Sequence, residues 1–209
     1  MTGASGVGKG TLRSRVLQVR PMYYSISMTT RPPRPGERPG VDYHFVSREA
    51  FEEAIARGDL LEWARYIDDY YGTPRKPIEE ALERGEDALL EIEVQGALQV
   101  AEQVPEAILI FIIPPSLSEL RRRLISRGTE GPDKIRRRLL RAEEELKVAP
   151  RFHYILVNDQ LDSAVADFLA ILRAEDLKSS RMTEALRRAA SRDPQLEALL
   201  DAQEQGLVE

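Results

Sequence analysis

The chain has 209 residues, 42% of them hydrophobic and 31% charged, and a formal net charge of −5 at pH 7. That length is ample for one compact domain with a substantial core, and the acidic balance argues against binding nucleic acid through net charge. With no cysteine and two histidines, disulfides and thiolate metal sites are excluded and a histidine-built zinc site is disfavoured. Because no leader or long apolar run is evident, we expect a cytoplasmic protein with no membrane partner. We also expect no nucleic-acid partner, and a monomer or small homo-oligomer.

A glycine-rich loop is the first segment with recognisable chemistry. It reads Gly3, Ala4, Ser5, Gly6, Val7, Gly8, Lys9, Gly10 and Thr11. The glycines allow backbone N–H groups to approach phosphate oxygens, and the G-x-x-x-x-G-K spacing places Lys9 against the β- and γ-phosphates at a helix N-terminus. The loop therefore predicts a nucleotide-binding P-loop, the alternative being an ordinary turn before a helix.

Two features of this loop depart from the usual pattern. The residue after Lys9 is Gly10, so the hydroxyl that would contact Mg²⁺ must come from Thr11 or be absent. Only two residues precede Gly3, whereas a P-loop normally follows a buried strand. We therefore expect the first strand to be missing or truncated.

Strand-like runs alternate with helical patterns along the rest of the chain. The predicted strands are 23–30, 43–46, 88–94, 107–113 and 154–157. The predicted helices are 48–57, 78–84, 117–127 and 132–149, with further helix from about 161. This alternation predicts an α/β fold with a parallel sheet, and runs 88–94 and 107–113 are the best candidates for its central strands.

Two segments carry side chains suited to an acceptor nucleotide. Arg31 and Arg34 lie three apart in a proline-stiffened stretch and could converge on one phosphate, although alone they also fit a solvated loop. Glu62 beside Trp63 could be a recognition carboxylate or a surface charge. Glu91 and Glu93 follow in run 88–94, where alternate strand residues would share a face.

Arginines are dense around residues 120–141. Arg123 and Arg127 are four apart on one predicted helix and so share a face, and Arg138 on the next helix could approach the same point. Such a group suits a transferring phosphoryl group, whose transition state spreads negative charge over several oxygens. RNA binding is the alternative, which the acidic neighbours and the lack of interleaved aromatics disfavour.

Seven segments, in order, resemble the guanylate kinase family. They are GASGVGKGT, TTRPPRPGE, DYHF, LEWA, YYGT, EIEVQG and RLISRGTE, and the resemblance extends from Gly3 to about Asp159. It implies a P-loop kinase whose parallel central sheet is flanked by helices, with a small mixed GMP-binding subdomain and a helical lid. The implied domain is 1–178, with a core of 1–30 and 86–178, a GMP-binding segment of about 31–85 and a lid of about 123–138. Residues 179–209 would form a helical, partly mobile tail.

The resemblance also implies an ATP:GMP phosphotransferase of purine nucleotide metabolism, using MgATP as co-substrate and GMP or dGMP as acceptor. The implied catalytic residues are Lys9, Arg34, Arg123, Arg127 and Arg138. The implied ATP-binding residues are those of the loop from Gly3 to Thr11, together with Asn158. The implied GMP-binding residues are Ser27, Arg31, Arg34, Tyr43, Glu62, Tyr71, Thr73 and Glu93. Mg²⁺ would be held by Thr11 and, through water, Glu91.

Chemistry agrees with the role implied for Glu62. Guanine presents N1–H and N2–H donors side by side, which one carboxylate can accept together, and adenine has no such edge. Two other functions stay open: a non-catalytic guanylate kinase-like binding module, and another small-molecule phosphokinase of the same fold. One of Glu91 and Glu93 could also pair structurally with Lys9 or an arginine.

Overall fold

The computed structural model describes residues 1–66, 68–126 and 131–178. Its strands are β1 Thr2–Gly3, β2 Tyr23–Tyr24, β3 Met28–Thr29, β4 His44–Phe45, β5 Leu60–Tyr66, β6 Asp69–Pro74, β7 Ala88–Leu89, β8 Ile110–Ile113 and β9 Tyr154–Val157. Its helices are α1 Lys9–Val19, α2 Arg48–Arg57, α3 Arg75–Glu83, α4 Val94–Gln103, α5 Leu117–Ser126, α6 Pro132–Val148 and α7 Leu161–Asp176. The chain divides into two compact units, Met1–Val165 and Ala166–Glu209. Arg127 and the predicted tail 179–209 lie outside the described residues.

The core of the first unit is built on parallel strand pairs. One sheet has the order β1-β8-β9, and a second pair joins β2 to β7. Met1 connects the two, because its amino group donates to the Leu90 carbonyl and its carbonyl accepts from the Ile92 N–H. Parallel strands flanked by helices are the arrangement predicted from the alternating sequence pattern, although Ile155 and Val157 of β9 are exposed.

The first strand, which we expected to be missing or truncated, is present with two residues. Thr2 and Gly3 are buried and pair in parallel with Phe111 and Ile112 of β8. The phosphate loop therefore directly follows a strand of the sheet.

A second, mixed sheet has the order β4-β3-β6-β5. Here β3 pairs in parallel with β4 and antiparallel with β6, and β5 and β6 form an antiparallel hairpin. The register of β5 shifts between Leu60 and Glu62, which is a β-bulge. Bulges redirect side chains, and this one lies directly before Glu62.

Short-range sequence signals account for several of the helix ends. The Ser47 hydroxyl caps α2 by accepting the Ala50 N–H, and α2 ends at Gly58 with a φ of 73°. The Ser116 hydroxyl accepts the Glu119 N–H at the start of α5. Pro132 is the first residue of α6, as proline's fixed φ favours.

Two strand predictions from periodicity were wrong, and two elements were missed. The run 23–30 is divided into β2 and β3, and only Ala88–Leu89 of the run 88–94 is a strand. Val94 instead begins α4, a helix that we did not predict, and the β5–β6 hairpin was also missed. The reason is that the strand partners are short: β7 pairs only with the two residues of β2. Among the described residues, no helix is long and apolar enough to cross a lipid bilayer.

Candidate active site

The phosphate loop is held by close packing on both sides. A Cβ at Gly3 would overlap the carbonyl oxygen of Ile112, and one at Gly6 would collide with the Leu124 side chain. Gly8 adopts a left-handed backbone conformation, with a φ of 96°, where the loop turns into α1. These positions therefore require glycine for close approach as well as for backbone conformation.

Lys9 lies across the loop at the start of α1. Its Nζ donates to the Gly3 carbonyl at 2.5 Å and is 3.4 Å from the Ala4 carbonyl. The ammonium is therefore beside the loop whose backbone N–H groups would receive phosphate. A contact of Lys9 with β- and γ-phosphates stays a prediction of the motif.

Side chains from α5, from α6 and from the segment after β9 contact the same loop. The Asn158 amide donates to the Val7 carbonyl at 2.8 Å, and Arg123 donates to the Asn158 carbonyl at 2.9 Å and approaches Val7 O at 3.4 Å. Arg138 of α6 donates to the Ser5 hydroxyl. Three of the residues predicted for the donor side thus converge on the loop. For Asn158, the contact is with the loop backbone.

Arg31 is the centre of the predicted acceptor-phosphate site. Its two terminal nitrogens donate to the Glu37 carboxylate at 2.6 and 2.7 Å, and its guanidinium lies 4.9 Å from the ring centroid of Tyr43. Glu37 also accepts the Arg34 N–H at 2.8 Å. The hydrogen bonds from Arg31 lower the pKa of Glu37 to about 2. Among the described residues, Arg31 Nε is buried without a hydrogen-bond partner.

Of the other predicted acceptor residues, Tyr43 lies beside this arginine and Tyr71 packs against Tyr43. Tyr43 and Tyr71 meet edge to face, with ring centroids 6.1 Å apart, and burial raises the pKa of Tyr43. The Arg34 side chain is exposed, and Ser27 is half-buried, its carbonyl accepting the N–H of His44 at the start of β4. Two tyrosine hydroxyls and two guanidinium groups in one segment form a suitable surface for a dianionic phosphate.

Glu62 and Thr73 form a buried polar pair in the mixed sheet. They are 6% and 0% exposed, face each other across β5 and β6, and are joined by a 2.5 Å hydrogen bond from Thr73 Oγ to Glu62 Oε1. Burial raises the pKa of Glu62, the Thr73 hydrogen bond opposes that rise, and the charge of Glu93 adds to it. A buried carboxylate with one hydroxyl partner is suited to receive further donors from a ligand.

Both carboxylates of the EIEVQG segment pair with arginines. Glu91 Oε2 accepts from Arg13 at 2.9 Å, and Glu93 accepts from Arg141 at 2.7 Å. The expectation that both lie on one strand was wrong, because β7 ends at Leu89 and Glu93 is the residue directly before α4, where its side chain makes no capping hydrogen bond. The structural pairing that we considered for one of these two carboxylates is present for each of them.

The residues predicted for Mg²⁺ fit that ion by their chemistry. Thr11 is exposed in the first turn of α1, next to the loop, and Glu91 lies near the same helix through Arg13. Within the described parts of the chain, no group of three or more acidic or histidine side chains could hold a metal. Mg²⁺ commonly takes one or two protein oxygens and completes its shell with water and substrate phosphates, so a hydroxyl and a carboxylate suffice.

Two residues of the site were missed from the sequence. Arg13 joins Glu91 to the Tyr24 hydroxyl, which it contacts at 2.5 Å, and Glu37 holds Arg31. Arg13 is four residues after Lys9 and therefore on the same face of α1, which is a signal we could have used. Glu37 was within the TTRPPRPGE segment but received no role.

The chain has the three parts of a phosphate-binding loop, which are a sheet strand, a glycine loop crossed by its lysine, and a helix that starts at that lysine. These parts define a P-loop nucleotide-binding protein. The chain matches the family model described as guanylate kinase over residues 1–175. It is 62% identical over 201 residues to a guanylate kinase of Thermus thermophilus, covering 96% of this chain and 91% of that one. It is 55% identical over 176 residues to one of Deinococcus radiodurans, covering 84% and 74%.

A solved structure agrees with these sequence comparisons. The crystal structure of a guanylate kinase from Anaplasma phagocytophilum matches with a TM-score of 0.72 and 34% identity, covering 88% of this chain and 91% of that one. The chain therefore belongs to the guanylate kinase family. The α/β fold with parallel strands, flanking helices and a small mixed sheet is confirmed by the same match.

Proposed function

We propose that this protein transfers the γ-phosphoryl group of MgATP to GMP, giving ADP and GDP. The observation that carries the proposal is the buried Glu62–Thr73 pair, in a chain 62% identical to a guanylate kinase. An oxygen of the GMP phosphate forms a bond to the γ-phosphorus while the bond to the β–γ bridging oxygen breaks. No general base is required, because the attacking phosphate oxygen is already ionised at neutral pH.

Guanine recognition is assigned to the mixed sheet. Glu62 accepts guanine N1–H and N2–H, and Ser27 and Thr73 lie towards O6, with Glu93 on the guanosine side. The support is geometric: Glu62 is 6% exposed, has Thr73 as its partner and faces away from bulk water. A site that hydrogen-bonds a substrate group rejects analogues lacking that group strongly, because its own buried groups are then left unpaired.

The acceptor phosphate is assigned to Arg31, Arg34, Tyr43 and Tyr71. Arg31 Nε is a buried donor without an acceptor among the described residues, and such a group costs free energy until an acceptor arrives. Glu37 occupies the terminal nitrogens of Arg31 as a phosphate would, bidentately. Arg34 is exposed and lies three residues away. Glu37 accepts its backbone N–H and not its guanidinium, which can therefore turn towards the phosphate.

The donor phosphates are assigned to the loop from Gly3 to Thr11, with Lys9 as the charged contact. Arg123 and Arg138, which already contact this loop and its anchor, stabilise the charge that spreads over the transferring group. Asn158 lies towards the adenine while its amide holds Val7. Mg²⁺, when bound, neutralises the phosphate charge, and Thr11 and Glu91 are the residues that would hold it.

Closure accompanies this reaction. The acceptor segment, about 31–85, and the lid, about 123–138, would move over the nucleotides bound to the core of 1–30 and 86–178. Exclusion of water protects ATP from hydrolysis and strengthens the electrostatic contacts. The contact of Arg138 with Ser5 supports this, because it brings a lid side chain to the phosphate loop.

The direct test is ADP formation from MgATP with GMP, dGMP, AMP or ribose 1,5-bisphosphate as the acceptor. We expect turnover with the guanine nucleotides only, and Arg34→Ala should reduce the use of GMP while leaving the KM for ATP unchanged. Turnover with ribose 1,5-bisphosphate would instead identify another phosphokinase of this fold. GMP binding without turnover by any acceptor would identify a binding module.

A further inference from the structure

One face of α4 lies along the edge of the mixed sheet. Gly96, Gln99 and Gln103 follow the spacing of a single helix face, and all three meet β5. In the order β4-β3-β6-β5, β5 is the last strand, so within the described part of the chain its outer backbone groups have no strand neighbour. Here α4 takes the place of that neighbour.

The side-chain amide of Gln99 pairs with β5 as a strand would. Its Oε1 accepts the Trp63 N–H at 3.1 Å, and its Nε2 donates to the Trp63 carbonyl at 3.0 Å. Gln103 Nε2 donates to the Leu61 carbonyl at 2.9 Å. The backbone of β5 is thus held on both sides of Glu62, by Gln99 at Trp63 and by Gln103 at Leu61. The second contact also holds the carbonyl of Leu61, the residue of the bulge before Glu62.

Gly96 leaves the space that the Glu62 carboxylate fills. A Cβ at position 96 would lie 2.8 Å from the Glu62 carboxyl carbon and 3.3 Å from its Cγ, and would overlap Oε2 directly. The positive-φ glycines do not include Gly96, so its need for glycine is spatial. Gly96 is the third residue of α4, and Glu62 fills the volume that a side chain at this position would occupy.

We propose that α4 is a positioning element for guanine selectivity, with Gly96 and Gln99 as the residues that hold the Glu62 carboxylate in place. The inference rests on the proposed function, in which Glu62 accepts N1–H and N2–H of guanine. Gly96 fixes the depth of the carboxylate, Gln99 fixes the strand that carries it, and Thr73 fixes one of its oxygens. Neither Gly96 nor Gln99 needs to touch the nucleotide.

The test compares GMP with inosine monophosphate, which keeps N1–H and lacks the N2 amino group. In Gly96→Ala, the added methyl displaces Glu62, so kcat/KM for GMP should fall and the GMP-to-IMP preference should decrease at least about tenfold. The KM for ATP should stay within about twofold, since the atoms nearest to a Cβ at position 96 all belong to Glu62 and none to the phosphate loop. An unchanged GMP-to-IMP preference in folded Gly96→Ala would overturn the proposal.

Rescue separates positioning from a general effect on folding. Adding Glu62→Asp to Gly96→Ala shortens the carboxylate side chain by one methylene and makes room for the methyl. The double variant should therefore prefer GMP more strongly than Gly96→Ala does. The contrary result is that Gly96→Ala lowers the GMP-to-IMP preference by the same factor in the Glu62→Asp background as in the wild type. The two residues would then act independently, and the steric argument would be wrong.

Gln99→Leu gives a second test that does not depend on a core substitution. It removes both hydrogen bonds to Trp63 and should lower the GMP-to-IMP preference while leaving the KM for ATP unchanged. Gln95→Leu, the same change at an exposed position of α4, is the matched control and should alter neither. If Gln99→Leu matches this control, the hydrogen bonds from Gln99 to Trp63 of β5 have no role in selectivity. Failure of the wild-type chain to phosphorylate GMP would instead refute the proposed function, so the two failures are distinguishable.

Discussion

Glu62→Gln should change catalysis and stability in opposite directions. The glutamine can still accept the Thr73 hydroxyl hydrogen bond, which is 2.5 Å long in the native protein. Towards guanine, however, it presents an amide group where a second acceptor is needed, so a donor faces a donor. Losing one charge-assisted hydrogen bond and leaving its donor unpaired costs about 2–4 kcal/mol. We therefore expect kcat/KM for GMP to fall about 30- to 1,000-fold.

Stability without nucleotide should increase at neutral pH. Burial raises the pKa of Glu62 in the folded protein above its ordinary value of 4.5, so the stability linked to this group is present below 4.5 and lost as the pH rises through the folded value. Each unit of such a rise corresponds to about 1.4 kcal/mol, and 1 kcal/mol moves Tm by about 2–4 °C in a chain of this size. Glutamine does not ionise and avoids this loss.

The assay is thermal unfolding of both proteins at pH 8 and at pH 4, alongside GMP kinetics. The Tm of Glu62→Gln should exceed that of the wild type at pH 8, and the difference should shrink at pH 4. Glu102→Gln, at an exposed position of α4, is the control and should leave both measurements unchanged. A lower Tm at pH 8, or unaltered GMP kinetics, would refute the reasoning that Glu62 is a buried carboxylate kept for recognition.

Three further predictions concern the phosphate loop and the acceptor segment. Lys9→Met should nearly abolish turnover with little change in Tm, and normal turnover in an ADP assay would remove the phosphate-loop assignment. Asn158→Ala removes the 2.8 Å hydrogen bond to the Val7 carbonyl and leaves it only the 3.4 Å contact with Arg123, so hydrogen exchange at the loop amides should accelerate and the KM for ATP should rise several-fold; unchanged exchange would contradict this anchoring role. Arg31 holds the pKa of Glu37 near 2, so the stability that Glu37 contributes is present above 4.5 and lost as pH falls towards 2. Glu37→Gln should therefore flatten the change of unfolding free energy with pH in that range. Unfolding free energies measured by urea denaturation at several pH values would count against this if they changed with pH as steeply as in the wild type.

Features determined by neighbouring residues could be predicted from the sequence. The ends of α2 follow from Ser47 and Gly58, and the start of α6 follows from Pro132, because capping and fixed φ act within one turn. The phosphate loop was readable for the same reason, since its glycines and Lys9 lie within seven residues. The family resemblance then supplied candidate roles for residues whose spacing carries no such signal.

Features determined by distant residues could not be predicted. Glu91 pairs with Arg13, 78 residues earlier, and Glu93 pairs with Arg141, 48 residues later, so nothing local identified either partner. The run 88–94 has a strand-like composition, yet its length as a strand depends on short partners elsewhere. Gly96 similarly looked like an ordinary glycine until Glu62 was seen to occupy its missing side-chain volume.

The hydrogen bonds to the Val7 and Gly3 carbonyls have a consequence for how an anion is received. A loop that presents N–H groups to phosphate also contains carbonyl oxygens, and any that turned inward would repel the incoming charge. The Asn158 amide donates to the Val7 oxygen and the Lys9 ammonium donates to the Gly3 oxygen. Two carbonyl dipoles of the loop are thus neutralised by the protein's own donors, which leaves its N–H groups as the groups suited to an anion.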